Sequence, residues 1–160
     1  MNEKKTVTHN ILSFIVWLAV TFLASATAVF VKTDGWYAEL DKPLWNPPGW
    51  VFGPIWTALY FMMAVSAWLV WQRGDLKAQR IPLAFYLVQL ALNALWTPLF
   101  FGIQRPGLAF AEILVLLVAI FFTLVAFWKA RRIAGILLVP YALWTIFAAV
   151  LNFTIWRMNS

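Results

Sequence analysis

The chain has 160 residues, 64% of them hydrophobic and 11% charged, with a net charge of +6 and no cysteine. A soluble domain runs at roughly 45–50% apolar and 25% charged, so a water-soluble globule of this composition is excluded. Disulfides and thiolate metal sites are excluded as well, and the cationic excess suits anionic lipid headgroups with no need to invoke nucleic acid.

The charges fall into short clusters, separated by apolar runs long enough to cross a hydrocarbon core of about 30 Å, which takes roughly 20 helical residues. The first span, 11–31, lies between Lys4 with Lys5 and Lys32. Its Ala24-Ser25-Ala26 imitates a signal-peptide cleavage site, but the apolar run continues past it to Val31, longer than a signal core, and favours a retained helix. A loop over 32–49 follows, holding Trp36, Tyr37, Leu40, Trp45 and three prolines, Pro43, Pro47 and Pro48. A solvated linker would be polar and poor in rings, so this loop is expected to fold back over the membrane helices. The alternative is that Trp36 and Tyr37 only anchor the chain at the interface.

The second span, 50–71, carries Trp56, Tyr60 and Met63 at i, i+4 and i+7, on one helical face. The third, 81–102, carries Gln89 and then Asn93, Trp96 and Phe100 at i, i+3 and i+7. A proline and a glycine open the fourth, 106–128, where a missing N–H costs nothing; Glu112 lies near its start, at a depth where the helix dipole and headgroups tolerate an acid. The fifth, 133–156, follows Arg131 and Arg132 and contains Pro140, Trp144, Ala148 and Asn152. Pro140 is expected to interrupt it and bend it near Trp144. No run alternates with period two, so a barrel is excluded. The fold is therefore an all-α integral membrane protein, a single bundle of five transmembrane helices.

Lys4, Lys5, Arg73, Lys77, Arg80, Lys129, Arg131 and Arg132 share one side of this topology, against Lys32, Lys42, Arg105 and Arg157 on the other. The positive-inside rule then puts the amino terminus in the cytoplasm and the carboxyl terminus outside. At 1.5 Å per residue, Trp56, Trp96 and Asn152 all fall in the half of the bundle beneath the long loop, with Asn93 and Trp144 deeper. Amide side chains in hydrocarbon need partners, so Asn93 and Asn152 serve either interhelical bonding or a ligand. For the rings the same choice stands between packing and binding.

Three blocks carry a resemblance over nearly the whole chain. The first is Trp36-Tyr37, Leu40, Lys42-Pro43, Trp45, Pro47-Pro48, Trp50, Phe52, Trp56 and Tyr60. The second is Leu92-Asn93, Trp96, Pro98 and Phe100-Phe101, and the third is Pro140-Tyr141, Trp144, Ala148, Leu151-Asn152 and Trp156-Arg157. Their order and placement resemble the tryptophan-rich sensory protein family, TspO, whose mitochondrial relatives are the translocator proteins. The resemblance implies a multi-pass protein of a bacterial membrane, often a homodimer, that binds porphyrins, sterols and synthetic aromatic ligands in a pocket below the first loop. Carried onto this chain, the implied ligand-binding set is Trp36, Tyr37, Pro43, Trp45, Trp56, Tyr60, Asn93, Trp96, Phe100, Trp144, Ala148 and Asn152.

A flat conjugated ring would stack on Trp faces, while acidic arms would pair with Lys32, Lys42, Arg105 or Arg157 at the rim, a combination that suits a tetrapyrrole with propionates. No cofactor is required, since the porphyrin is a ligand. Axial ligation is not expected, because the single histidine, His9, is in the tail on the opposite side and cysteine is absent. Paired carboxylates, activated nucleophiles and metal clusters are missing. A carrier or sensor is the first reading. The resemblance also implies light-dependent porphyrin degradation with Trp56 and Trp144 as electron donors, and a small exporter using Glu112 is a third reading. The sterol pattern of the family falls on Leu151, Phe153 and Arg157, with phenylalanine where a tyrosine is usual. Ala24 with Ala28, and Gly49 with Gly53, are the small-residue pairs available for self-association.

Overall fold

In a computed structural model the described residues are 2–29, 35–74 and 76–160, and all their regular structure is helical. Five long helices dominate: α1 (Asn2–Leu23), α4 (Gly49–Trp71), α5 (Leu76–Thr97), α6 (Pro106–Ala130) and α7 (Arg132–Met158). Short helices α2 (Ala26–Val29) and α3 (Trp36–Glu39) lie between α1 and α4, and α5 runs into a π segment, Pro98–Gly102. Among the described residues, four stretches are long and apolar enough to cross a bilayer: Gly49–Trp71, Lys77–Gly102, Pro106–Ala130 and Arg132–Met158.

The first span departs from expectation. Its apolar helix is the shorter Asn10–Leu23, because the chain turns at Ala24 and Ser25 before re-entering a helix. The Ser25 hydroxyl donates to the Phe22 carbonyl at 2.7 Å, and the amides of Ala24 and Ser25 reach back only three residues. A serine that captures a nearby carbonyl in this way competes with the helical ladder. Residues 30–34, including Lys32, lie outside the described residues, as do the side chains of Lys4, Lys5, His9 and Ala28.

The third span ends differently too. Pro98 has no amide to continue the α ladder, and the Ile103 amide instead reaches the Pro98 carbonyl at 2.9 Å, five residues back. That π turn brings the adjacent rings Phe100 and Phe101 both against Tyr37, at 6.1 and 5.3 Å. Pro140, by contrast, does not interrupt the fifth span: α7 runs unbroken through it. Gly74 ends the second, its φ of +79° giving the turn after α4 that a side chain would strain.

The long helices form a closed ring in which α1 packs on α4, α4 on α7, α7 on α6 and α6 on α5. Tyr86 of α5 closes it, with its ring 5.8 Å from Trp17 and its hydroxyl 2.7 Å from that of Thr21 on α1. Glycine sets the closest approach. A Cβ on Gly107 would come within 2.8 Å of the Trp156 ring, and one on Gly135 within 2.9 Å of the Trp128 Cα. Since apolar attraction between helices is weak in lipid, such close packing and interhelical hydrogen bonds hold the bundle.

Candidate ligand site beneath the long loop

The long loop does fold over the bundle. Helix α3 lays Trp36 and Tyr37 on Phe100, at 5.8 and 6.1 Å, and Phe100 stacks on Trp96 at 5.0 Å. Trp36 and Tyr37 are therefore packed and half-buried rather than exposed anchors. The Lys42 ammonium donates to the carbonyls of Tyr37, Ala38 and Leu40 at 2.7, 3.2 and 2.6 Å and stands 4.9 Å over the Tyr37 ring. Lys42 thus closes the end of α3 and is occupied within the loop, a correction to its expected place as a rim cation. Tyr37 donates to Asn46 Oδ1 at 3.3 Å. Burial pushes its phenol above the usual range, against the lowering effect of that bond, so it stays a neutral donor.

The far end of the loop is fastened to the end of α7. Asn159 accepts from the Asp41 amide at 3.0 Å and donates to the Asp41 carbonyl at 2.9 Å, while its amide also holds Ile155 of its own helix at 2.8 Å. Arg105 and Arg157 stand exposed at the same end of the bundle.

Under this cover the expected residues form two linked groups. Trp36, Tyr37, Trp96 and Phe100 make one, between loop and α5. The other lies between α4 and α7, where Trp56 stacks near Tyr60 (5.5 Å) and meets Tyr141 (6.3 Å). There Trp144 meets Phe52 (5.9 Å) and Phe147 (5.2 Å), and Phe147 in turn carries Trp45 (5.9 Å). Ala148 packs at its edge, and Pro43 stays in the loop beside the Lys42 knot, its carbonyl accepting from the Asn46 amide at 2.9 Å.

Both asparagines bridge helices. Asn152 accepts from the Trp96 indole at 3.0 Å and donates to the Pro106 carbonyl at 2.8 Å, tying α5, α6 and α7. Deeper, Tyr60 donates to Asn93 Oδ1 (2.7 Å), Asn93 donates to the Tyr141 hydroxyl (3.2 Å), and Tyr141 donates to Gln89 Oε1 (2.9 Å). This chain of bonds floors the site. Two buried donors end without an acceptor, Gln89 Nε2 and the Trp144 indole nitrogen. An N–H so placed costs on the order of 1–3 kcal/mol until an acceptor arrives.

Some expected residues sit elsewhere. Leu151 is buried while Phe153 and Arg157 are exposed, so the three do not share one face. Phe153 packs instead on Phe110 at 5.1 Å. Glu112, near the start of α6 as expected, faces the interior of the protomer: it is 7% exposed, neither carboxyl oxygen has a hydrogen-bond partner, and it belongs to the inward stripe with Ala109, Ile113 and Leu116. Ala24 is buried inside the protomer and so unavailable to a second copy, whereas the faces at Gly49 and Gly53 are open. Residues that the sequence reading left out of the site are Phe52, Tyr141, Phe147, Gln89 and Asn159. Tyr141 had a usable signal, lying three residues before Trp144 on the same helix face.

Comparison with known proteins finds similarity over nearly the whole chain. The TspO/MBR family model matches residues 12–157. A tryptophan-rich sensory protein of Cereibacter sphaeroides is 43% identical over 146 residues, covering 91% of this chain and 90% of that protein. The human translocator protein is 42% identical over 134 residues, covering 81% and 79%. A tryptophan-rich protein TspO of Archaeoglobus fulgidus is 40% identical over 149 residues, covering 92% and 95%.

Proposed function

The chain belongs to the TspO/MBR family, and from that premise we propose that it binds tetrapyrroles of the protoporphyrin kind beneath the long loop, as a carrier or sensor. The observation that carries this reading is the indole nitrogen of the half-buried Trp144, a buried donor without a partner among the rings of Phe52 and Phe147. A flat conjugated ring with nitrogen or carbonyl acceptors offers that N–H a partner and the neighbouring rings a stacking surface. With Lys42 engaged in the loop, Arg105 and Arg157 are the cations left among the described residues to meet acidic side arms at the rim. The chain has no cysteine and its single histidine, His9, lies in the amino-terminal tail, so in this reading burial and stacking hold the ring without an axial ligand.

In this reading the amino terminus is cytoplasmic and the carboxyl terminus outside, in a bacterial membrane, following the distribution of lysine and arginine. A homodimer belongs to the same reading, with its contact surface away from Ala24. Sterols remain a second ligand class with weaker support, since Phe153 lacks the hydroxyl of the usual pattern and Leu151 faces inward. The test is a titration of the detergent-purified protein with protoporphyrin, following tryptophan fluorescence. Saturable quenching with a dissociation constant in the micromolar range, about −8 kcal/mol, is expected; no saturable change at accessible concentrations refutes the reading.

A further inference from the structure

Most large apolar side chains exposed on this molecule lie along the helices, as expected for surfaces that face lipid. Three do not fit a simple loop above the membrane: Leu44 at 107% exposure, Trp50 at 77% and Trp45 at 47%. Leu44 is the most exposed of them among the described residues and stands in the loop itself. The exposed surface of the loop is therefore of two kinds, charged at Glu39 and Asp41, beside the packed Trp36 and Tyr37, and apolar at Leu44 and Trp45 farther along the chain.

Depth separates the two. The Trp45 ring rests on Phe147 at 5.9 Å, and Phe147 lies ten residues before Arg157 on α7, roughly 15 Å along the helix. Arg157 marks the polar end of that helix, so even with the reach of an indole the loop tip descends beside α7 into the level of its apolar belt. The exposed face of α7 there is Leu143, Ile146 and Val150. On the other flank, Trp50 heads the exposed stripe of α4 that continues through Gly53, Pro54, Thr57 and Phe61. Leu44 directly precedes Trp45, whose ring is on α7, in the segment that leads into α4 at Gly49. The sequence is continuous with this placement, for no charged residue occurs between Lys42 and Arg73. The uncharged segment begins at Pro43, well before the helix that it feeds.

We propose that the tip of the long loop, Pro43 to Trp45 together with Trp50, is inserted in the bilayer, with Leu44 in the acyl region of the leaflet on the loop side. The partner is lipid. Transfer of an exposed leucine into hydrocarbon is favourable, while Trp at the boundary of the polar region matches the usual preference of indole. The loop is then held at two points of different chemistry, by the Asn159 clamp at its polar end and by the leaflet at its apolar tip.

This inference stands apart from the identity of the ligand and is tested without one. Because the chain has no cysteine, Leu44→Cys carries a single thiol for an environment-sensitive fluorophore, and Ala38→Cys, exposed beside Glu39 in α3, is the reference. Both are reconstituted in lipid nanodiscs containing a doxyl-labelled phospholipid, or exposed to iodide in the buffer. The expected result is a blue-shifted Leu44 label, quenched several-fold more by the doxyl lipid than the Ala38 label and several-fold less by iodide. Equal quenching of the two labels by iodide overturns the proposal. So does protection of the Leu44 label from both quenchers, the outcome if a second copy of the chain covers the tip. Neither site packs against the core, so both variants retain the wild-type helical spectrum, and a loss of doxyl quenching cannot be ascribed to unfolding.

Discussion

Tyr141 makes the most demanding contacts of any single residue in the floor of the site. Its hydroxyl accepts from Asn93 and donates to Gln89, so Tyr141→Phe strands a donor on one and an acceptor on the other. Interhelical bonds in membranes average about 0.6 kcal/mol, so a loss of about 1 kcal/mol is expected in detergent unfolding, with Tyr60→Phe costing roughly half because it breaks one bond. Equal stability of both variants and wild type would show that the chain of bonds carries no energy. Glu112→Gln should differ in kind. No partner holds either carboxyl oxygen, so the amide removes no bond, and stability is expected to stay within about 0.5 kcal/mol of wild type or rise. The same unfolding measurement checks it; a clear loss would reveal a partner for the acid. At this scale the sequence showed which polar side chains needed partners, Asn93 and Asn152, because an amide in hydrocarbon is expensive. It did not show the partners, which depend on how α4, α5 and α7 are rotated against one another. Nor did it show that Lys42 turns inward onto three carbonyls, since a lysine in a loop usually reads as solvated.

Among the elements, the four later spans were legible because charge clusters bound their apolar runs. The failures lie where local chemistry overrides hydropathy: Ser25 ends α1 early, Pro98 converts the end of α5 into a π segment, and Pro140 is absorbed by α7. Helix contact surfaces were not legible, because a glycine reveals its neighbour only once the helices are packed. Gly135→Ala should be costly, about 1–3 kcal/mol of stability by overpacking, because its new Cβ meets the Trp128 backbone, which no rotamer change can move. Gly49→Ala, facing open space, should fall within about 0.5 kcal/mol of wild type; thermal unfolding of the two variants side by side decides it. The loop as an element depends on Asn159. In Asn159→Ala the Asp41 amide loses its acceptor, and hydrogen exchange at the Asp41 amide should accelerate by an order of magnitude or more, while protection within α4 and α6 is unchanged. Unaltered exchange at Asp41 would mean that the clamp does not hold the loop.

For the whole molecule, the sequence yielded the family, the helical class and the covering loop, and most of the implied binding residues do converge beneath that loop. What it could not yield was their division into two ring groups, one between the loop and α5 and one between α4 and α7, since that follows from the closed order of the helices. The topology has its own check. Ser160→Cys should react with a membrane-impermeant maleimide in intact spheroplasts, whereas Thr6→Cys should react only after permeabilisation; the reverse pattern would invert the orientation. The central claim, that a tetrapyrrole lies against the Trp144 ring beneath the loop, is tested most directly by protoporphyrin affinity in wild type, Trp144→Phe and Trp144→Ala, each shown to be folded. An aromatic face in a desolvated site is worth about 1–3 kcal/mol, so Trp144→Ala should weaken binding about five- to more than a hundredfold. Trp144→Phe should keep most of it, losing only the indole N–H. Equal affinity of all three proteins would contradict the account and place the ligand elsewhere.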